Sequence, residues 1–323
     1  MNWLLSFLLT AAALPPLAAR ALGGRPPNPG PKLAALAPLA TVPAIASVLL
    51  AASVRWWLAI FVAPPAAALL SWQIRPLRRT TKDYSRRKQP TSECRERSLR
   101  VLTLNACRGA ADIAEITSCL RKWRIDVLAI QELTPNMAES LVEIGIAKLL
   151  PFHDVHPEVG SSGAGLWARW PLAPLPPLTE LTAATPQVRI CHKFGPSIIM
   201  TNVHPVAPVG GHEFRWQREL AIIRAGLANS KHPQIIVGDF NASRDHRAFR
   251  HLLSAGFRDC ADVAQARSWP GFTWPDRPGI PPLMRLDHVL VSEGYARIRE
   301  ARTLKIQGTD HRAVLAIITF QET

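Results

Sequence analysis

The residues of this chain that could do chemistry stand where apolar runs end. The first run closes Leu104-Asn105-Ala106-Cys107-Arg108-Gly109 and the second Ile130-Gln131-Glu132-Leu133. Others close Asn202-Val203-His204-Pro205 and Gly238-Asp239-Phe240-Asn241-Ala242, and two late stretches read Arg285-Leu286-Asp287-His288-Val289 and Gly308-Thr309-Asp310-His311-Arg312. Singly, each has a bland reading: a turn Asn, a solvated Gln-Glu loop, an Asp-His cap, a lone core or surface His. Together they supply the parts for in-line attack on a phosphate ester. That reaction needs an activated water, a neutralised equatorial charge and a protonated leaving group. Metal, carboxylate and imidazole provide these in turn. Adjacency alone does not let Asp310 hydrogen-bond to His311, so Asp310 is expected to reach a metal-bound water or another residue.

Such groups need a rigid scaffold, with the turns leaving its strands projecting side chains into one cleft. Leu99–Leu104, Asp126–Ile130, Ile198–His204, Ile235–Gly238, Leu286–Val291 and Ala313–Phe320 are short Val/Ile/Leu-rich runs and read as strands. Ile113, Ile116, Leu120 and Trp123 recur at helical spacing, as do Trp216, Leu220, Ile223 and Leu227. A shorter helix is expected over Asp245–Ala255, up to Gly256. This alternation predicts a layered α/β domain with a sizeable core over residues 100–323.

The six stretches, in this order, resemble the endonuclease/exonuclease/phosphatase superfamily, also called deoxyribonuclease I-like. Gly238-Asp239-Phe240-Asn241-Ala242 and Thr309-Asp310-His311-Arg312 carry the most specific part of the likeness. The resemblance implies a four-layered α/β/β/α sandwich with its site at one edge. It implies that Asn105, Glu132 and Asp310 form the divalent-metal end, with Glu132 the principal ligand of Mg²⁺ and Mn²⁺ as the alternative ion. Asp239 and Asn241 match the pair that positions the attacking water and the scissile phosphate. Asp310 and His311 match a terminal pair in which the carboxylate orients an imidazole on a phosphate oxygen. His204 matches a second histidine across that phosphate, supported by Asp287, or Asp287 supports the metal shell. Arg169, in Ala168-Arg169-Trp170-Pro171, matches a supporting phosphate contact in some members. As a residue it reads equally as a strand-end charge.

The first third of the chain has a different composition. Residues 1–100 carry 14 Lys/Arg against 3 Asp/Glu, whereas residues 101–323 carry 24 against 21. The excess of positive charge therefore adjoins the apolar stretches Trp3–Leu22, Leu33–Val54 and Trp56–Ile74, each about the ~20 residues that cross a bilayer as a helix. Ala19-Arg20-Ala21 resembles a signal-peptide cleavage site, but no positive charge precedes it and two more spans follow. The expected organisation is a three-helix membrane anchor over 1–74, a solvated basic linker over 75–99 lying against anionic head groups, and a catalytic domain over 100–323. Positive flanks favour the cytoplasmic face for that domain, whereas the layout of anchored relatives that the resemblance brings in favours the outside, so its side stays open. The odd set of five cysteines has no C-x-x-C pair and reads as small buried apolar side chains.

The family motifs do not separate its substrates. A compact domain with a small net charge and a membrane anchor favours a lipid head group or another phosphate ester met at the surface. DNA is the alternative partner, with Arg244, Arg247 and Arg250 as a candidate track, although at helical spacing they read as a solvated face. A domain that binds without catalysis is the other alternative. The complete set Glu132, Asp239, Asn241, Asp310 and His311 argues against it.

Overall fold

Leu99 and Val101 alternate with Leu102 and Leu104, and all four are buried. A strand with both faces apolar must lie between two layers. The computed structural model describes residues 2–84, 98–192, 197–227, 232–263, 265–266, 271–294 and 296–320. The described chain divides into two compact units. One comprises Met1–Arg86, Pro208–Gln217 and Ala242–Arg250; the other comprises Arg87–Ala207, Arg218–Asn241 and His251–Thr323.

The second unit holds two mixed sheets. In the first, β1 (Ser98–Asn105) lies between parallel β2 (Val127–Gln131) and antiparallel β13 (Ala313–Phe320). Outside these run β4 (Ala164–Ala168) and β3 (Phe152–His156) on one side, and β12 (Ala296–Leu304) and β10 (Gln265–Ala266) on the other. The second sheet has the order β5 (Leu172–Pro174), β6 (Gln187–Ile190), β7 (Ile198–Val203), β8 (Gln234–Asp239), β11 (Asp287–Ser292) and β9 (Phe257–Asp259). Leu99, Val101, Val127, Met200, Val237 and Val289 form the core shared by the two sheets. On the other face of the first sheet, Leu102, Leu104 and Leu128 join Ile116 and Leu120 of α5 (Ile113–Lys122) and Met137 and Leu141 of α6 (Pro135–Glu143). The architecture is the expected α/β/β/α sandwich. The six predicted strands are present with ends shifted by a residue or two.

The core between the sheets is not wholly apolar. Gln131 Nε2 donates to Thr103 Oγ1 at 3.0 Å and to Asn202 Oδ1 at 2.6 Å, and Asn202 Nδ2 donates to the carbonyls of Ile130 and Gly165 at 2.9 and 3.0 Å. These buried groups bridge the sheets directly beneath the strand ends where Glu132 and His204 emerge. Replacing Asn202 with Leu orphans one N–H of Gln131 and removes the two bonds donated to the carbonyls of Ile130 and Gly165. The expected loss is roughly 2–6 kcal/mol of unfolding free energy, from about 1–3 kcal/mol for the orphaned N–H and about 0.5–1.5 kcal/mol for each lost bond. Chemical denaturation of the full chain in detergent checks this. A loss below about 1 kcal/mol would mean that the bridge does not bind the sheets together.

The first unit contains α1 (Asn2–Ala21), α2 (Gly30–Ala35), α3 (Ala37–Val54) and α4 (Ala59–Tyr84). Among the described residues, three helical stretches are long and apolar enough to cross a membrane: Asn2–Ala21, Ala37–Val54 and Trp56–Gln73. Their contacts use small residues. Ala13 of α1, Ala37, Ala40 and Ala44 of α3, and Ala66 and Leu69 of α4 form one buried cluster. Ser47 joins it to Ser6 and Thr10 through hydroxyl contacts of 3.1 and 2.7 Å. Small faces that let backbones approach, with hydroxyls bonding across, suit helices in a medium that gives apolar side chains no reason to cluster. Helix α4 runs past Ile74 to Tyr84, so the stretch read as a solvated linker begins helical; residues 85–97 lie outside the described residues.

Within this unit, the turn between α1 and α2 meets the two later segments. Arg20 pairs with Asp245 at 2.5 Å, the Arg247 N–H donates to Gly23 O at 2.7 Å, and Asn28 Nδ2 donates to Glu213. His246 Nδ1 accepts from the Ser243 N–H while Nε2 donates to Pro31 O at 2.8 Å. Burial lowers its pKa to about 4, so the ring is neutral. The helix expected over Asp245–Ala255 is shorter, α8 (Arg247–Leu253), because Asp245 and His246 are buried in the preceding turn. Arg250 is half-buried, with Nη1 on Arg244 O at 2.8 Å, and does not belong to an open basic track.

Candidate active site

Strand register alone brings the chemistry to one edge. Parallel pairing sets Asn105 beside Gln131, and Glu132 follows. Parallel pairing of β7 with β8 sets Val203 beside Gly238, followed by His204 and Asp239. Antiparallel β11 enters with Asp287 opposite Asp239, and antiparallel β13 enters after Asp310 and His311. The exits are tight. Gly238 has φ 138°, and a Cβ there would stand 1.9 Å from Val203 O, so only glycine fits. Cys107, Arg108, Glu132 and Asn241 all take the left-handed conformation, a cost that non-glycine residues bear mostly at functional sites.

Asp239 lies at the centre. Its Oδ2 accepts from Asn105 Nδ2 at 3.0 Å and stands 3.7 Å from His204 Nε2 and 3.8 Å from His311 Nε2. Its Oδ1 accepts the Asn241 N–H at 2.8 Å. Asn241 Nδ2 donates to Pro205 O at 3.0 Å, tying the exit of β8 to that of β7. Asn105 Nδ2 also reaches Glu132 Oε1 at 3.1 Å, and the Arg108 N–H donates to Glu132 Oε2 at 2.8 Å. His204 presents Nε2 inward, 3.8 Å from Glu132, because its Nδ1 is held by Ser161 O at 3.2 Å. Asn105, Glu132, His204, Asp239, Asn241, Asp287, Asp310 and His311 thus gather at one site.

Three assignments differ from the sequence reading. The carboxylate that orients His311 is Asp287: its Oδ2 accepts from Nδ1 at 2.9 Å, whereas Asp310 comes only within 4.0 Å of Nε2. The adjacent residue cannot curl back onto the ring, while Asp287, at the start of β11 in the other sheet, meets it. Asp287 therefore supports His311 and not His204. Arg169 lies at the far end of the sheet, with Nε on Asp126 Oδ1 at 2.9 Å and Nη2 on Ile125 O at 3.2 Å. Asp126 and Glu132 are six residues of extended chain apart, about 20 Å. Arg169 is a structural ion pair and not a phosphate contact.

Charge follows the geometry. Burial disfavours a charged His311, but Asp287 and Asp239 push its pKa up to about 10. Burial and the charge of Asp287 raise the Asp239 carboxyl, opposed by His311 and His204. With Asp287 accepting from Nδ1, the proton of this group sits on His311. Burial also opposes ionisation of Asp310, yet the hydrogen bond from Arg277, the charge of His311 and the Trp274 N–H outweigh it and hold its pKa down. Burial, then the charges of Asp310 and Glu132, raise the Cys107 thiol, keeping it protonated. Among the described residues Cys260 is the buried cysteine, Cys107 and Cys119 are half-buried and Cys191 is exposed.

Sequence reasoning missed the loop that holds Asp310. Arg277 Nη2 meets Asp310 Oδ2 at 2.7 Å, Trp274 Nε1 donates to the same oxygen at 3.2 Å, and the Asp276 N–H donates to Asp310 O at 2.7 Å. Thr273 Oγ1 accepts the Leu286 and Asp287 N–H groups at 3.1 and 3.3 Å. The stretch Thr273-Trp274-Pro275-Asp276-Arg277 has neither strand nor helix periodicity, so nothing in its pattern marked it.

Among the described residues, the ligand atoms of Asp239, Asp287 and His311 lie within 4.8 Å of one another, are buried and could hold a divalent ion. The expected ligands Glu132 and Asp310 lie outside that group and are partly open to solvent. Hard oxygen donors with room for retained water suit Mg²⁺ or Mn²⁺.

No curated protein matches this chain. Among solved structures, an endonuclease/exonuclease/phosphatase family protein of Bacteroides thetaiotaomicron superposes with a TM-score of 0.54 at 15% identity, over 73% of this chain and 100% of that one. The mannosyl-6-phosphatase of Bacteroides thetaiotaomicron does so with 0.54 at 15%, over 69% and 100%. A humanized D. rerio TDP2 gives 0.55 at 14%, over 69% and 99%. At such identities the likeness is one of fold. The sequence pattern of the Endonuclease/Exonuclease/phosphatase family, by contrast, matches residues 102–311, most of the chain and every strand end described above. The chain belongs to that family of phosphoric ester hydrolases, whose members generally depend on a divalent metal.

Proposed function

We propose that this chain is a membrane-anchored, Mg²⁺-dependent phosphodiesterase or phosphatase acting on a lipid head group or another phosphate ester at the membrane surface. The observation that carries the chemistry is the convergence of two imidazole Nε2 atoms, of His204 and His311, on one oxygen of Asp239. Glu132 and Asp310, with Asn105 hydrogen-bonded to Glu132, would hold the ion through hard oxygen donors, whereas the buried group of Asp239, Asp287 and His311 would bring in an imidazole nitrogen. A bound Mg²⁺ supplies charge neutralisation at a phosphate oxygen. His311, kept cationic by Asp287, donates to a second phosphate oxygen. His204, oriented by Ser161 O, faces the phosphate from the other side. Asp239, held by Asn105 and by the Asn241 N–H, takes the proton of the attacking water. The membrane reading rests on the three apolar helices and the small-residue contacts among them.

The full-length protein, assayed with Mg²⁺ and with EDTA against phosphoinositide vesicles, sphingomyelin vesicles and plasmid DNA in parallel, tests this reading. Hydrolysis of a lipid substrate that EDTA abolishes is the expected result. Cleavage confined to plasmid DNA would replace it with a nuclease. The lipid preference is drawn from the anchor and the modest charge of residues 101–323. The short positive flanks Arg20, Arg25 and Lys32 and the ten Lys/Arg of residues 75–100 favour a cytoplasmic domain. A C-terminal alkaline phosphatase fusion should therefore be inactive, and strong activity would reverse the orientation.

A further inference from the structure

The first unit carries an exposed apolar pair that its own core does not use. Val209 is 46% and Phe214 65% exposed, on either side of Gly210-Gly211, in the segment Pro208–Gln217. This segment is fastened to the turn between α1 and α2, where Asn28 Nδ2 donates to the buried Glu213. Helix α1 is 20 residues long, which at about 1.5 Å per residue matches a hydrocarbon core of about 30 Å. If α1 crosses the bilayer, the turn that follows it lies in the head-group layer. Whatever is hydrogen-bonded to that turn lies there too. Leu22, 72% exposed on the turn, and the exposed Arg25 and Arg215 complete a surface of apolar side chains with cations beside them. That composition suits a protein surface resting on anionic lipid.

We propose that Pro208–Gln217 is a lipid-contacting segment, with Val209 and Phe214 entering the interface beside the end of α1. The proposal rests on the membrane reading given above and deepens it. Pro208 follows His204 by four residues, so the chain leaving strand β7 at a catalytic histidine runs directly into the lipid-facing segment. The second segment of the same unit, Ala242–Arg250, begins immediately after Asn241 and is held to the same turn through Gly23 O and Pro31 O. Two of the strand ends that carry the chemistry therefore continue into backbone pinned at the membrane boundary.

The test places a photo-crosslinking residue in the full-length protein, reconstituted in vesicles of phosphatidylcholine and phosphatidylglycerol. Phe214→p-benzoylphenylalanine and Val209→p-benzoylphenylalanine should form lipid adducts on irradiation, detected by mass spectrometry. Leu8→p-benzoylphenylalanine, on the exposed face of α1, reports whether that helix is in the bilayer. Val142→p-benzoylphenylalanine, on exposed α6, sets the background. Adducts at 8, 209 and 214 several-fold above those at 142 support the proposal. Adducts at 8 with 209 and 214 at background, or with polypeptide adducts at 214, overturn it while the membrane reading stands. Absence of adducts at 8 overturns both. The readout needs no catalysis, so it is independent of the assignment of the hydrolytic site.

Discussion

Asp239→Asn and His311→Ala are each expected to lower turnover by on the order of 10²-fold or more, the usual cost of losing a positioned acid or base. Asp239 is the acceptor on which the site is centred. Asn105 donates to its Oδ2, and the two histidines stand 3.7 and 3.8 Å from that same oxygen. An amide in its place keeps the shape but cannot take a proton from water. It also withdraws the negative charge that helps to hold His311 cationic. His311→Ala removes a cation from the phosphate and takes the imidazole donor away from the buried Asp287 carboxylate, so this variant loses some stability as well. Binding of a non-hydrolysable phosphate analogue should survive better than turnover in both variants. Single-turnover rates and analogue affinity measured side by side check this. Near wild-type turnover by both variants on every substrate cleaved by the parent would mean that the site has been misplaced.

The strands were legible because each is a short apolar run ending in a polar residue that no packing argument needs. Gly238-Asp239-Phe240-Asn241 shows why. Gly238 is required by the approach of Val203 O, Phe240 is buried, and the polar residues left over are those facing the site. What the sequence could not show was partner choice across strands. Asp287 and Asp310 are both acidic residues next to a histidine in sequence, His288 and His311, and neither serves that neighbour. Asp287 reaches His311, while His288 Nδ1 binds Asp259 Oδ2 at 2.7 Å in the buried interior. Asp287 and His288 are adjacent strand residues and point to opposite faces, and Asp310 lies in the bend before β13 with its carboxylate on Arg277 and Trp274, so a dipeptide reading pairs the wrong groups. Arg169 fails for a related reason. A strand-end arginine is equally well placed at either end of a sheet until its register is known, and the register puts it beside Asp126.

The turn between α1 and α2, Gly23-Gly24-Arg25-Pro26-Pro27-Asn28-Pro29-Gly30, is Pro/Gly-rich and reads as a connection, but nothing in it marks a binding partner of later segments. Asp245 and His246 look like ordinary helix-start residues. Their burial against Arg20 and Pro31 depends on contacts more than two hundred residues apart in the chain. The unit that contains the apolar helices includes the segments that leave β7 and β8, so assays on the intact chain keep partners that a fragment beginning near residue 100 would lose.

Glu132→Gln is expected to lower Mg²⁺-supported activity by on the order of 10²–10³-fold, the scale of losing one preorganised electrostatic contact to a transition state. The carboxylate sits at the exit of β2 in a left-handed conformation, held by the Asn105 amide on one oxygen and the Arg108 N–H on the other. Those two donors fix its direction without cancelling its charge. A glutamine retains one acceptor oxygen and so one of these two bonds, which keeps the fold with a modest fall in the thermal midpoint. What it loses is the hard anionic donor that Mg²⁺ requires. Residual activity should demand a much higher Mg²⁺ concentration than the parent needs, and Mn²⁺, which accepts a wider range of donors, should restore more of it than Mg²⁺. Titrating both ions against parent and variant distinguishes this from a packing role, which would change stability and leave the ion dependence unaltered. Full activity of the variant in saturating EDTA would remove the metal from the reaction, whereas parental activity that still depends on the ion would remove Glu132 alone and leave the buried group of Asp239, Asp287 and His311 as the set to be tested next.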